Sequence, residues 1–471
     1  MNLVEPQLDA GETDPAASTA RGQVWAETLA TLALAWPVVL AELGWMAMGV
    51  VDLVMVGRLG PEAIGAVGLG NITYFAIEVF AMGVLLGLDS VISQAFGAKQ
   101  IADCNRWLVQ GIYVALMASV PTMLGVTLLV PWLPSWGLAP EVVTPAATYL
   151  SILNWGTPPL LLYFVIRRYL QAMNVVRAVT VTLIAANVLN LVGNWVLIGG
   201  HWGLPALGVA GSAWATNISR LAMFLTLLVV AVVHSLKAGT GLLRVPLGPN
   251  WAWIGRLLVL GAPIAAQFGL EVGVFGAAAL LAGRLGPTAL AAHEVVLNVA
   301  SVTFMVPLGI SSAGSVRVGQ AIGRGDPLGA ARAGWVALGI GACFMMLAGL
   351  TFLLIPRSIL SVFTDEAQVI RIALPLLGIA AMFQLFDGLQ VVAGGALRGT
   401  GETQVPMYVN LASHWTIGLP IGFVLGFPLG WGVFGLWIGL ALGLICAGGS
   451  LLFSWWRTVK KLKTVEPVSP A

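Results

Sequence analysis

Two carboxylates interrupt long apolar stretches in the second half of the chain. Glu271 lies near the middle of GAPIAAQFGLEVGVFGAAALLAGRLGP, residues 261–287, and Asp387 lies in FQLFDGLQ, residues 383–390. A charged side chain at the centre of a bilayer costs roughly 2.5–3.5 kcal/mol on insertion scales, so such residues are candidates for function. Neither stretch has a Lys or Arg in its interior to pair with the carboxylate. We therefore predict that the two carboxylates face one cavity and bind a proton or a cation such as Na⁺.

Polar and aromatic residues flank both carboxylates, as expected around a cavity that holds an organic ligand. The carboxylates would attract an organic cation, and aromatic faces would add to that attraction. The candidate substrate-binding residues are Gln267, Phe268, Phe383, Gln384 and Phe386.

A third carboxylate, Asp52, lies in the first apolar stretch of the chain. We predict that it contributes to cation binding from the first half of the protein. Asn187 and Asn190, in a later apolar stretch, could hydrogen-bond its protonated or cation-bound form. Asp89 stands close to the end of its stretch, where we expect a solvated carboxylate.

The remaining charges in apolar stretches carry no predicted role in binding. We expect Arg220 to pair with a neighbouring carboxylate for structural reasons. Glu42 and Glu78 are further acidic residues to which the sequence assigns no function.

Helices must position these residues, and the sequence predicts an all-α polytopic membrane protein. Apolar runs of about 20 residues, the length that spans a bilayer, recur along the whole chain. Prolines inside them are compatible with a membrane bundle, where neighbouring helices satisfy the freed carbonyls. The twelve predicted spans cover residues 29–56, 64–88, 107–131, 145–166, 178–199, 208–234, 254–283, 289–313, 333–355, 370–395, 405–427 and 431–456.

The second half of the sequence repeats the first with an offset of 226 residues. Pro37 falls on Pro263, and GRLGP occurs at 57–61 and again at 283–287. Trp45 matches Glu271, so the scaffold is repeated while the carboxylate is not. Each half holds six spans, an even number, which predicts two pseudo-symmetric lobes related by an axis along the membrane normal. The predicted units are an N-terminal tail at 1–28, an N-lobe at 29–234, a linker at 235–253, a C-lobe at 254–456 and a C-terminal tail at 457–471.

Composition supports the membrane assignment and excludes several functions. Hydrophobic residues make up 58% of the chain and charged residues 9%, against roughly 25% charged in a soluble domain. The three cysteines are scattered, and the chain has neither a GxxxxGK[ST] motif nor a basic run with interleaved aromatics. We therefore predict a protein that is not an enzyme, has no cofactor apart from Na⁺ or H⁺ as a coupling ion, and binds no nucleic acid. Its expected partners are small organic substrates and the lipid bilayer, and we expect a monomer.

The distribution of Lys and Arg predicts the orientation of the chain. With the N-terminus inside, 17 of the 22 Lys and Arg residues lie on the inner side and 4 on the outer side. Positive residues concentrate on the cytoplasmic side of membrane proteins. Both termini are therefore expected in the cytoplasm, in a bacterial-type inner membrane.

Several short motifs occur in a fixed order along the chain: Pro37 with VDLVMVG at 51–57, QAFGA at 94–98, Glu271 between GAP at 261–263 and Phe275, AAH at 291–293, RVGQ at 317–320, FQLFDGLQ at 383–390 and LRG at 397–399. Together they resemble the multidrug and toxic compound extrusion (MATE) family, and within it the NorM-like branch. The similarity runs from about residue 29 to 456. The resemblance implies a V-shaped bundle of two six-helix lobes and cation-coupled export of organic, often cationic and aromatic, compounds.

One departure from the family pattern concerns the coupling ion. A proton-linked branch of the family has a second acidic residue in the fifth span. Here that span offers Asn187, Asn190 and Asn194. The resemblance therefore does not imply a proton mechanism confined to the N-lobe, and Na⁺ and H⁺ both stay open.

Three functions are compatible with a polytopic chain of this kind. The favoured hypothesis is an antiporter that admits Na⁺ or H⁺ while an organic compound leaves. The alternative is a flippase for lipid-linked precursors or polysaccharides, which would need a wide basic cavity, whereas Arg220 is the one basic residue predicted to be buried. A membrane enzyme would need a clustered nucleophile or metal set, which the sequence lacks. The sequence names neither the substrate nor the stoichiometry.

Overall fold

A computed structural model describes residues 20–137 and 139–464, and within these ranges the protein is helical and has no β-strand. Eleven helical segments in this part of the chain are long and apolar enough to cross a membrane. Spans one to six are Ala20–Val56, Pro61–Gly97, Ile101–Leu129, Pro140–Ala172, Val176–Gly199 and Val209–Ala238. Spans seven to ten and span twelve are Trp251–Arg284, Pro287–Gly323, Pro327–Leu354, Ala367–Thr400 and Gly432–Thr464.

Span eleven completes the predicted set of twelve, although it is not one regular α-helix. It consists of Gln404–Asn410, a π-helical segment Leu411–Gly418, and Leu419–Gly426. π-helical turns occur mostly as short insertions within α-helices, and often near functional sites. The prediction of an all-α protein with twelve spans in two six-helix lobes is confirmed.

Several helices run further than their apolar cores predict. Span one begins at Ala20, within the predicted tail 1–28, and span twelve continues to Thr464, beyond the predicted end at 456. The connection between the lobes is confined to 239–250, because span seven already begins at Trp251. Hydropathy marks only the part of a helix inside the lipid, whereas backbone hydrogen bonds extend it into the polar surface layer. Residues 1–19 and 465–471 of the predicted tails lie outside the described residues.

The first span of each half crosses to the core of the other lobe. Leu34 and Val38 of span one belong to the buried apolar cluster of the C-lobe, with residues of spans eight, nine, ten and twelve. Ile254 and Leu257 of span seven belong to the buried cluster of the N-lobe. Pro37 and Pro263 lie inside these two helices, where a proline removes one backbone hydrogen bond and allows a bend.

The lobes meet at one end of the molecule, where their contacts follow the sequence repeat. We call this the basic end; it carries the connections that follow spans two, four, six, eight and ten. Gln94 donates to the backbone carbonyl of Gly399 across the lobes at 3.0 Å. Its repeat partner, Gln320, donates to the carbonyl of Ala172 at 2.9 Å. This contact surface, the lobe joint, is therefore pseudo-symmetric.

Glycine is required where the two backbones touch in the lobe joint. A Cβ atom on Gly97 would overlap the backbone carbonyl oxygen of Gln320, and one on Gly323 would overlap that of Gln94. These glycines are again 226 residues apart. Small residues permit such close approach between membrane helices, where lipid supplies no hydrophobic driving force.

Replacing Gly97 with Val should hold the lobe joint open. The overlap is with backbone, which no change of side-chain rotamer relieves, so we expect a cost of about 1–3 kcal/mol or more to the closed joint. The measurement is the rate at which a maleimide reagent labels a single cysteine at Ser93, which is fully buried beside Gly319. The native cysteines are replaced beforehand. Gly339→Val is the matched control, because Gly339 lies on an exposed face with no atom within 4 Å. Equal labelling in both variants would contradict the requirement for glycine.

Candidate functional site

The C-lobe carboxylates lie among buried amides of three spans. Gln390 of span ten donates to Glu271 of span seven at 3.4 Å and to Asn410 of span eleven at 3.3 Å. Asn410 in turn donates to the carbonyl of Pro406, one turn earlier. It is also the last residue before the π-helical segment. The amide of Gln390 thus ties Glu271 to the irregular part of span eleven.

Asp387 completes this group from span ten. It is 7% exposed, and it lies within electrostatic range of Glu271, as the predicted pair requires. Neither carboxylate forms an ion pair with Lys or Arg among the residues that the structure describes. Two nearby carboxylates without a basic partner leave negative charge that a proton or a cation can compensate. Their role in binding stays a prediction.

The five predicted substrate-binding residues have different surroundings. Gln267 lies one turn before Glu271 and is buried, while Phe268 and Phe386 are half-buried. Gln384 is fully buried and donates to the Thr303 hydroxyl at 2.7 Å. Phe383 packs inside the C-lobe core and stacks on Trp437, with ring centroids 6.1 Å apart. Phe268 and Phe386 are thus the more accessible members of the set, and the substrate-binding role of all five residues stays a prediction.

A second polar cluster surrounds Asp52 in the N-lobe. Asn190 and Asn194 of span five donate to one carboxylate oxygen at 3.0 and 2.6 Å. Thr216 of span six donates to the other at 2.8 Å. Asp52 is 2% exposed and both asparagines are fully buried. A buried carboxylate needs such donors, and the cluster joins spans one, five and six.

Sequence reasoning found this cluster only in part. Asn190 contacts Asp52 as predicted, but Asn187 donates to the carbonyl of Gly44 at 3.0 Å instead. Asn194 was noted without a role, although its spacing of four from Asn190 puts both on one helix face. Thr216 was missed, because a single threonine in an apolar helix carries no distinguishing signal.

Glu42 and Arg220 have partners within the protein. Glu42 pairs with Arg167. Arg220 donates to the Tyr74 hydroxyl at 3.1 Å, and its guanidinium lies over the same ring. The expectation of a solvated Asp89 is wrong: it is 1% exposed. Its position near a helix end predicted contact with solvent. Tight packing of span two against both lobes buries it instead.

Two homologous six-span lobes with unpaired carboxylates inside them define a polytopic membrane protein of the transporter type. The MatE family model matches residues 37–196 and 263–424. The chain belongs to the MATE family. The matched segments begin 226 residues apart, in agreement with the repeat found in the sequence.

Relatives and solved structures extend this similarity over nearly the whole chain. A probable multidrug resistance protein NorM of Mesorhizobium japonicum is 38% identical over 467 residues, 96% of this chain and 97% of that protein. A multidrug resistance protein NorM of Burkholderia vietnamiensis is 38% identical over 431 residues, 90% and 92% of the two chains. The crystal structure of the eukaryotic MATE transporter AtDTX14 has a TM-score of 0.85 at 22% identity, with 93% and 99% coverage. The resemblance to the NorM-like branch is confirmed.

Thr216→Val should destabilise the N-lobe through the loss of one donor to Asp52. A hydrogen bond to a charged group contributes about 1.5–3 kcal/mol, so we expect a loss of that size in the free energy of unfolding. The measurement is thermal unfolding of the purified protein in detergent. Thr148→Val makes the same chemical change at an exposed threonine that bonds only to its own helix. Identical melting temperatures for the two variants would show that the bond to Asp52 contributes nothing.

Proposed function

We propose that this protein is a secondary active multidrug efflux antiporter, which exports organic, often cationic and aromatic, compounds in exchange for Na⁺ or H⁺. The observation that carries the proposal is the pair Glu271 and Asp387, which lies inside the C-lobe and has no basic partner among the described residues. The multidrug resistance names of the similar NorM proteins support the same function. The basic end would face the cytoplasm, since it holds most of the Lys and Arg residues.

Competition for the carboxylate pair would couple the two ligands. Exchange requires that the ion and the drug favour opposite-facing states, because a ligand that binds both states equally shifts neither. A cation or proton would neutralise Glu271 and Asp387 in one state. An organic cation would replace it in the other, beside the half-buried rings of Phe268 and Phe386. The lobes would rock about the connection 239–250, around a site near the membrane midplane.

The N-lobe cluster is proposed as a second place where the coupling ion is held. Asp52 supplies a buried carboxylate, and the three side chains that donate to it, of Thr216, Asn190 and Asn194, each carry an oxygen atom that would turn toward a bound cation. Oxygen atoms of this kind suit a hard cation such as Na⁺, and the carboxylate alone suits a proton. The same residues therefore accommodate either coupling ion.

The driving force depends on the charge that each cycle moves. One elementary charge crossing 100 mV is worth roughly 2.3 kcal/mol. Exchange of one monovalent ion for one monovalent drug moves no net charge, so only the concentration gradient of the ion would then contribute. Uptake of a second ion at Asp52 would add the membrane potential to the driving force.

The alternative of a lipid-linked precursor flippase gains no support from the described residues. Pyrophosphate recognition needs basic groups free to face a cavity. The four buried arginines of the described structure are engaged elsewhere: Arg167 with Glu42, Arg168 with Ser312, Arg220 with Tyr74 and Arg398 with Asp89.

Glu271→Gln and Asp387→Asn should fold, reach the membrane and lose gradient-driven export. Each substitution removes a negative charge for which the coupling ion and the cationic drug compete. We therefore expect efflux to fall about 5- to 150-fold, the range that corresponds to ordinary coupling free energies. Dye efflux is measured in vesicles with Na⁺ and proton gradients imposed separately, which also identifies the coupling ion. Glu141→Gln, at an exposed glutamate of span four, is the matched control. If dye efflux in both variants responds to a Na⁺ or a proton gradient as it does in the wild type, the assignment of the carboxylate pair is wrong.

A further inference from the structure

One carboxylate in the lobe joint is shared by two arginines from opposite lobes. Asp89 of span two lies 3.6 Å from Arg168 of span four and 3.6 Å from Arg398 of span ten. The three side chains are 1%, 8% and 6% exposed. Arg168 belongs to the N-lobe with Asp89, and Arg398 belongs to the C-lobe. We propose that Asp89, Arg168 and Arg398 form an ionic lock that holds the basic end of the transporter closed.

The geometry suits a contact that must form and break in every cycle. At 3.6 Å the ion pairs are longer than hydrogen bonds, and the shared carboxylate oxygen has no hydrogen-bond donor in the described structure. The attraction is therefore mainly Coulombic, and it is strong only while the joint excludes water. When the lobes separate, water enters and solvates all three charges. Opening therefore leaves no charge buried without a partner, which would cost free energy.

Arg168 adds a second contact across the joint. Its guanidinium donates to the hydroxyl of Ser312 in span eight at 2.9 Å. The two guanidiniums also repel each other, being within electrostatic range. The negative charge of Asp89 thus offsets the repulsion between the two arginines that are buried in the closed joint. Without its charge, closure would bury two like charges that face each other across the lobes.

The lock is an asymmetric addition to a symmetric surface. The glutamine and glycine contacts of the joint occur in both halves of the repeat, but the position that matches Asp89 is Ser315. At the repeat-related position, the lobes therefore pack against each other with an uncharged serine in place of the carboxylate. The charge on Asp89 biases the equilibrium between closed and open states, and the helices need no ion there in order to pack.

Span ten connects the lock to the candidate ion site. Asp387 and Arg398 lie on the same continuous helix. Their separation of eleven residues is three helical turns, about 16.5 Å, and places them on one face. A movement of span ten that accompanies ligand exchange at Asp387 would displace Arg398 as well. The lock itself does not depend on which ion or drug the transporter uses.

The test measures the opening of the basic end directly. Ala102→Cys and Leu328→Cys, two exposed positions 226 residues apart, carry spin labels in a background in which Cys104, Cys343 and Cys446 are replaced. The distance distribution between the labels gives the ratio of closed to open molecules. Asp89→Asn should shift this ratio toward open by about tenfold or more, as expected when one partner of a buried ion pair is removed. Arg398→Gln should shift it in the same direction.

Matched variants separate a lock from an ordinary structural ion pair. Asp103→Asn removes a carboxylate whose pair, Arg106, is on the same helix, and it should leave the distances unchanged. Asp89→Glu and the charge exchange Asp89→Arg with Arg398→Glu should restore the closed state. If Asp89→Asn and Arg398→Gln leave the distance distribution like that of Asp103→Asn, the lock is refuted. The spin-label distances measure closure of the basic end without any transport. The experiment can therefore refute the ionic lock independently of the proposed antiport mechanism.

Discussion

Direct contact between two helix backbones at the lobe joint is the constraint on which the rest of this structure depends. Gly97 and Gly323 leave room for carbonyl groups of the opposite lobe, and Gln94 and Gln320 hydrogen-bond across the same surface. Lipid gives helices no hydrophobic reason to associate, so close packing and hydrogen bonds must supply the attraction. Because the surface is pseudo-symmetric, glycine occurs at the matching positions 97 and 323 of both halves.

Helices that belong to both lobes connect this joint to the buried carboxylates. The first part of span one packs in the C-lobe and its later part carries Asp52. Span seven packs its first part in the N-lobe and carries Glu271 further on. A change in the angle between the lobes therefore has to move both carboxylates relative to their neighbours. The proline inside each of these helices, Pro37 or Pro263, provides a place where such bending costs little.

Charge is distributed unequally over this symmetric frame. In the N-lobe, Asp52 is surrounded by three uncharged donors, whereas in the C-lobe one amide donates to Glu271, and Glu271 and Asp387 repel each other. Buried charges cost free energy unless they are paired or neutralised. Two lobes that satisfy their carboxylates differently can respond differently to one ion. The repeat accounts for the scaffold, and residues that differ between the halves account for the chemistry.

The sequence by itself determined the twelve spans, the repeat, the family and the three carboxylates, because lipid imposes a simple rule on length and polarity that applies residue by residue. Helix ends were less predictable, since backbone hydrogen bonds extend helices such as span one beyond their apolar part. Only the tertiary structure decided which polar residues meet. Thr216 reaches Asp52, Asn187 does not, and Asp89 is buried between two arginines. Each of these contacts depends on how helices distant in sequence rotate and approach, which no local pattern encodes.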